Sequence, residues 1–230
     1  VRSIVQKLSN GAHAAVNCDT RNEPHLMRRQ MLKPWQADFL QLPQSVSLKA
    51  CLWMAAGFIG LQVLALLVLG LPVICKCGHV QLWHGNPSGP ETSQHLTDWY
   101  TYTHVIHGFI FYLLLSLAAP RTPLALRLAI AVGLEASWEM IENTPIIMDR
   151  YRQSALARGY FGDSIINSAA DTIAAALGFI LAARLPAWLI VALAIMMELF
   201  AGYMIHDNLT LNIIQLISPI EAISRWQMGG

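Results

Sequence analysis

Glu135, Glu139 and Glu142 recur at i, i+4 and i+7 inside one apolar stretch, so a helix there carries all three carboxylates on one face. Asp163, Asn167 and Asp171 repeat at i, i+4 and i+8, and His104 and His107 form an i, i+3 pair. Carboxylates and imidazoles together suit proton transfer, general acid–base catalysis and the holding of hard or borderline metal ions. Glu135, Glu139 and Asp171 are therefore the candidate acid/base or ligand-holding carboxylates, with His104 and His107 completing their set. Asn143, Asp163, Asn167, Asp207 and Asn208 are candidate ligand-binding residues. Arg150, Arg152 and Arg158 are candidates for attracting an anionic headgroup, because guanidinium forks clamp phosphate. The Glu-x-x-His signature of di-iron bundles is absent.

A second donor set reads Cys75-Lys76-Cys77-Gly78-His79, with His84 and His95 beyond it. Thiolate with imidazole selects zinc or copper, so Cys75, Cys77 and His79 are candidate ligands for one of these. The Cys-x-Cys spacing differs from the Cys-x-x-Cys of structural zinc sites. Cys51 falls inside an apolar run, where a lone cysteine serves as a small apolar residue.

The elements that position these groups follow from hydropathy. Of 230 residues, 55% are hydrophobic and 13% charged, against about 25% charged in soluble domains. The mean hydropathy is +0.45. A bilayer absorbs that much apolar surface, whereas a soluble core of this length does not. The formal net charge of +1 leaves no basic face for nucleic acid, so membrane lipids are the expected partners and protein partners stay open.

Apolar spans are expected at about Ala50 to Ile74, Tyr102 to Ala119, Leu124 to Met148, Ser164 to Ala183, and from after Pro186 to Ile205. A sixth stretch, Leu209 to Ile223, reads as a tilted span, a re-entrant segment or an interfacial helix. The expected fold is an all-α polytopic transmembrane bundle of five to six spans over residues 49–230, with an outer loop at 76–101. Residues 1–48 read as a flexible polar leader whose true start lies at Met27 or Met31.

Lys and Arg set the orientation. Arg28, Arg29, Lys33, Lys49, Arg121, Arg127, Arg184 and, if the sixth stretch crosses, Arg225 fall on one side, and Lys76, Arg150, Arg152 and Arg158 on the other. The balance favours a cytoplasmic N-terminus. Four spans then bring their polar residues to the outer half of the bilayer. Any one of these residues is explained by a hydrogen bond between helices. Three carboxylates on one helix and two on another exceed what a latch requires, and favour a polar cavity.

The motifs Trp83-x-Gly85-Asn86-Pro87-x-Gly89-Pro90-Glu91-x-Ser93-Gln94-His95, His104-x-x-His107-Gly108 and Glu135-x-x-Trp138-Glu139-x-x-Glu142-Asn143 are specific in combination. With Gly162-Asp163-Ser164-x-x-Asn167 and Asp207-Asn208-Leu209-Thr210-Leu211-Asn212, the chain resembles a catalogued family of uncharacterised bacterial multi-pass inner-membrane proteins. That resemblance covers nearly everything from Lys49 onward and implies a fold and a bacterial inner-membrane location, but no activity. Glu139, Asp163, Asn167 and Gly178 are also similar to a pattern in VanZ-like membrane proteins. This second resemblance implies action near lipid-linked or envelope glycan chemistry. Three functions follow: an outward cavity binding or acting on an envelope lipid or small polar ligand, a zinc- or copper-binding membrane protein, or a non-catalytic assembly factor.

Overall fold

The structure is a computed structural model that describes residues 43, 45–153, 156 and 159–228. The expected leader falls almost entirely outside the described residues, as does Arg158.

The described chain is an all-α bundle. Helix α1 is Leu48–Val68, α2 Thr101–Ala118, α3 Leu124–Glu142, α4 Pro145–Tyr151, α5 Ile165–Arg184, α6 Ala187–Ile205, α7 Leu209–Ile217 and α8 Glu221–Gln227. Four of them (α1, α2, α5 and α6) are long and apolar enough to cross a membrane. Their 18 to 21 residues give lengths of about 27–32 Å, matching a hydrocarbon layer of about 30 Å. The 19-residue α3 has the same reach but carries Arg127, Glu135, Glu139 and Glu142. It lies inside the bundle, packed on α1, α2 and α5. By contrast α1 and α6 bury few side chains and present leucines, valines and tryptophans outward, as lipid-facing helices do.

The first span ends earlier than its hydropathy suggests. Gly70 takes a φ of +80°, a left-handed conformation that glycine adopts without steric cost, and this turns the chain out of α1 just past Leu69. The third span ends at Glu142, because Pro145 opens a new helix and Thr144 before it is extended (φ −76°, ψ 151°). The sixth stretch holds no helix long enough to cross. Its nine-residue α7 spans only about 13 Å, and Ser218, Pro219 and Ile220 separate it from α8.

Small residues set the central seam. A Cβ on Gly108 of α2 would overlap the carbonyl oxygen of Ala175, and one on Gly178 of α5 would overlap that of Val105. The two backbones therefore touch, as small-residue faces allow in lipid. Gly133 of α3 similarly receives the ring of Phe58 from α1.

The loop at 76–101 is an ordered cap. Two-residue strands β1 (Trp83–His84) and β2 (Thr97–Asp98) pair in parallel, and Ser93, Gln94, His95 and Asp98 are buried. The chain caps the start of α5 directly: Ser164 N donates to Ser93 O, Ile165 N to Pro72 O and Ile166 N to Val73 O. Those are amides that a helix start leaves without partners of its own.

Candidate functional site

The i, i+3 spacing on α2 puts His104 and His107 over the same turn, and both meet Glu135 of α3. His104 Nδ1 lies 2.5 Å from Glu135 Oε1, and His107 Nδ1 lies 3.1 Å from each Glu135 oxygen. With both Nδ1–H groups donated to this carboxylate, both Nε2 atoms are left facing elsewhere. His104 Nε2 stands 3.7 Å from Asp171 Oδ2 of α5, and His104 Nδ1 stands 3.3 Å from Glu139 Oε1. Thr101 Oγ1 donates to the other Asp171 oxygen at 2.9 Å. The five residues expected to form one set do so, and His104, Glu135, Glu139 and Asp171 are buried.

One turn nearer the cap, Asn143 Nδ2 donates to Asp163 Oδ2 and Asp163 N donates back to Asn143 Oδ1, both at 2.7 Å. Tyr160 adds a hydroxyl donor to Asp163 Oδ1 at 2.9 Å. Burial pushes the Asp163 carboxyl up to about 6, against the opposing pull of Asn143 and Tyr160. Asp207 joins from beyond α6, accepting from Tyr100 Oη and from Gln227 Nε2 at 3.2 Å each. Its burial raises it to about 7. Asp98 is likewise raised by burial while it accepts from Ser93 N and Tyr100 N.

A cavity of about 520 Å³ opens beside this cluster. His104, His107, Glu142, Asp163, Asp171 and Asp207 face it from the polar side. Phe111, Leu134, Trp138, Ile141, Ile213 and Leu216 form an apolar wall. Leu134, Ile141 and Ile213 are also 46%, 51% and 45% exposed, so the opening between α3 and α7 is rimmed by hydrocarbon.

Other expected residues take different places. Arg150 lines the cavity, but its Nε donates to Leu216 O at 2.7 Å and its Nη2 to Ile217 O at 3.1 Å, so it braces the end of α7. Arg152 turns to Tyr160 O and Asp149 and does not face the cavity. Asn208 caps α7 through Leu211 N and donates to Glu198 O. Asn167 is fully buried, and neither its Oδ1 nor its Nδ2 has a hydrogen-bond partner. Cys75 and Cys77 are joined in a disulfide, which removes the thiolates that zinc or copper would take. The His79 ring contacts Gln81 instead, and Glu91 and His95 bring side-chain donors within 4.8 Å of the cysteine pair.

Several members escaped the sequence reading. Gln62 of α1 donates to Ser168 Oγ at 2.7 Å and accepts from Thr172 Oγ1 at 2.9 Å, and Ser168 donates to Glu139 Oε2 at 2.6 Å. A lone glutamine within a 21-residue apolar helix is the signal that could have found this relay. Tyr100, Thr101 and Asp98 sit at the start of α2, where their polarity blends into the loop.

The chain is 51% identical over 173 residues to a UPF0314 protein of Agrobacterium fabrum, covering 75% of this chain and 87% of that one. A UPF0314 protein of Rhizobium meliloti is 49% identical over 183 residues, covering 79% and 93%. One from Sphingopyxis alaskensis is 49% identical over 176 residues, covering 76% and 94%. No solved structure matches the chain. A family model described as "Protein of unknown function (DUF2585)" matches residues 66–229, taking in every element of the site except the first part of α1. The chain belongs to that family.

Proposed function

We propose that this is a multi-pass protein of the bacterial inner membrane that takes an amphiphilic envelope lipid into its lateral cavity and presents the polar end to the histidine–carboxylate cluster. The observation that carries this reading is the two-sided lining of the 520 Å³ cavity. Its apolar rim lies between α3 and α7, where an acyl chain can enter from hydrocarbon without crossing water. Its floor holds imidazole and carboxyl groups already oriented by neighbours, the arrangement needed to move a proton to or from a bound hydroxyl or ester. An apolar pocket with a few convergent polar groups is the usual form of a small-molecule site.

The test compares wild-type protein with a Leu134→Trp/Ile213→Trp double variant that narrows the rim, both purified in mild detergent. Native mass spectrometry and lipid extraction should find an envelope lipid retained by the wild type and several-fold less on the variant, with both melting alike. Equal retention by the two proteins, or none by either, overturns the proposal.

A further inference from the structure

We infer that the cluster on α2, α3 and α5 is a binding site for one divalent first-row transition metal ion, held by His104, Glu139 and Asp171. Its position at the cavity floor is shared with the lipid reading, but the inference does not depend on a lipid being bound.

Geometry comes first. One donor atom from each of His104, Glu139 and Asp171 lies within 4.8 Å of the other two. His104 Nε2 and Asp171 Oδ2 are 3.7 Å apart, too far for a hydrogen bond. Two ligands bound at about 2.1 Å around a tetrahedral ion are separated by about 3.4 Å, so the observed gap is near that of a shared coordination sphere. The other side of the His104 ring is fixed by Glu135, 2.5 Å from Nδ1. A carboxylate that holds one imidazole nitrogen and turns the other towards the ion is the usual outer support of a metal-bound histidine.

Unpaired atoms give the second, independent observation. Glu139 is buried, and its Oε2 accepts from Ser168, while its Oε1, 3.3 Å from a His104 Nδ1 that is turned to Glu135, has no hydrogen-bond partner. An acceptor left bare in such a position is costly unless something electropositive meets it.

Charge points the same way. Glu135, Glu139, Asp163 and Asp171 are all buried. Among the described residues lining the cavity, Arg150 is the one Lys or Arg, and its guanidinium is engaged by α7 and Gln153. A divalent ion neutralises two of these carboxylates at once. Imidazole with carboxylates suits manganese, iron or zinc, and the absence of a thiolate among these donors disfavours copper(I). Glu139 also lies within the same 4.8 Å limit of Glu142 and Asp163, so these two carboxyl groups border the ion on its cap side. His107, whose Nδ1 is likewise held by Glu135, lines the cavity next to it.

The experiment uses the full chain, purified in detergent, stripped with chelator and depleted of lipid so that lipid loss cannot mimic metal loss. Mn²⁺, Fe²⁺ and Zn²⁺ are added singly, and bound metal is measured by elemental analysis alongside the melting temperature. The expected result is about one retained ion per chain with a raised melting temperature. Co²⁺ substitution should give visible d–d bands that shift in Glu139→Gln. Bound metal should fall at least tenfold in His104→Gln and in Asp171→Asn, and stay unchanged in Glu221→Gln, whose carboxylate is exposed on α8. Wild-type protein that is helical and monodisperse yet neither retains nor is stabilised by any of the three ions overturns the inference. So does retention that survives all three cluster variants and is lost on replacing His95 beside the cysteine pair.

Discussion

At the residue scale the structure separates groups that face the cavity from groups that hold them. Glu135 accepts from two imidazoles at once, so its truncation should misplace both rings, not merely remove a charge. Asp207 offers a cleaner measurement because it lies outside the spans. Its folded pKa, about 7, exceeds the ordinary carboxyl value, so the folded state binds this proton more tightly than the unfolded one. That contribution is complete below about pH 4 and is lost as pH rises to about 7. Asparagine does not titrate. The melting temperature of Asp207→Asn relative to wild type should therefore climb between pH 5 and 8, by about 2–4 °C for each kcal/mol at this chain length. A difference that is flat with pH would show that the carboxyl is not held neutral. The stripe of Glu135, Glu139 and Glu142 and the histidine pair were legible from spacing alone. Gln62 was not, because it sits singly in an apolar run, and Ser168 and Thr172, each next to a more polar neighbour (Asn167, Asp171), gain meaning only when α1 and α5 meet.

At the element scale, close backbone approach decides where the polar groups end up. α2 and α5 touch through Gly108 and Gly178, and that contact brings His104 within reach of Asp171. Gly178→Leu forces the helices apart. Overpacking of this kind costs about 1–3 kcal/mol, so the melting temperature should drop by several degrees in a thermal scan. Gly57 and Gly60 of α1 face open space, with nothing within 4 Å of where a Cβ would stand, and alanine at either should leave the melting temperature unchanged or higher. Equal losses at Gly178, Gly57 and Gly60 would refute the seam. Hydropathy located each long helix but misjudged two ends. The break at Asn143–Thr144 is a backbone event caused by Pro145, and apolar residues resume directly beyond it at Ile146, Ile147 and Met148.

For the molecule as a whole, the short turns between α2 and α3 and between α5 and α6 alternate with the long segments that carry the cap and α4. With the sixth stretch too short to cross, Arg225 joins the cap side. The opposite side still leads by seven (Arg28, Arg29, Lys33, Lys49, Arg121, Arg127, Arg184) to five (Lys76, Arg150, Arg152, Arg158, Arg225), which predicts that the cap lies outside the cytoplasm. Alkaline phosphatase fused at Gly89 should be active, and fused at Arg121 inactive; the reverse pattern would invert the topology. Arg150 adds a mechanical consequence. Its guanidinium ties α4 to two carbonyl oxygens at the end of α7, so displacing that wall breaks two charge-assisted bonds. Leu134 and Ile141 of α3, across the opening, face it with apolar side chains. The chamber is thus stiff in one direction and compliant in the other, and a bulkier guest expands it sideways into the surrounding hydrocarbon.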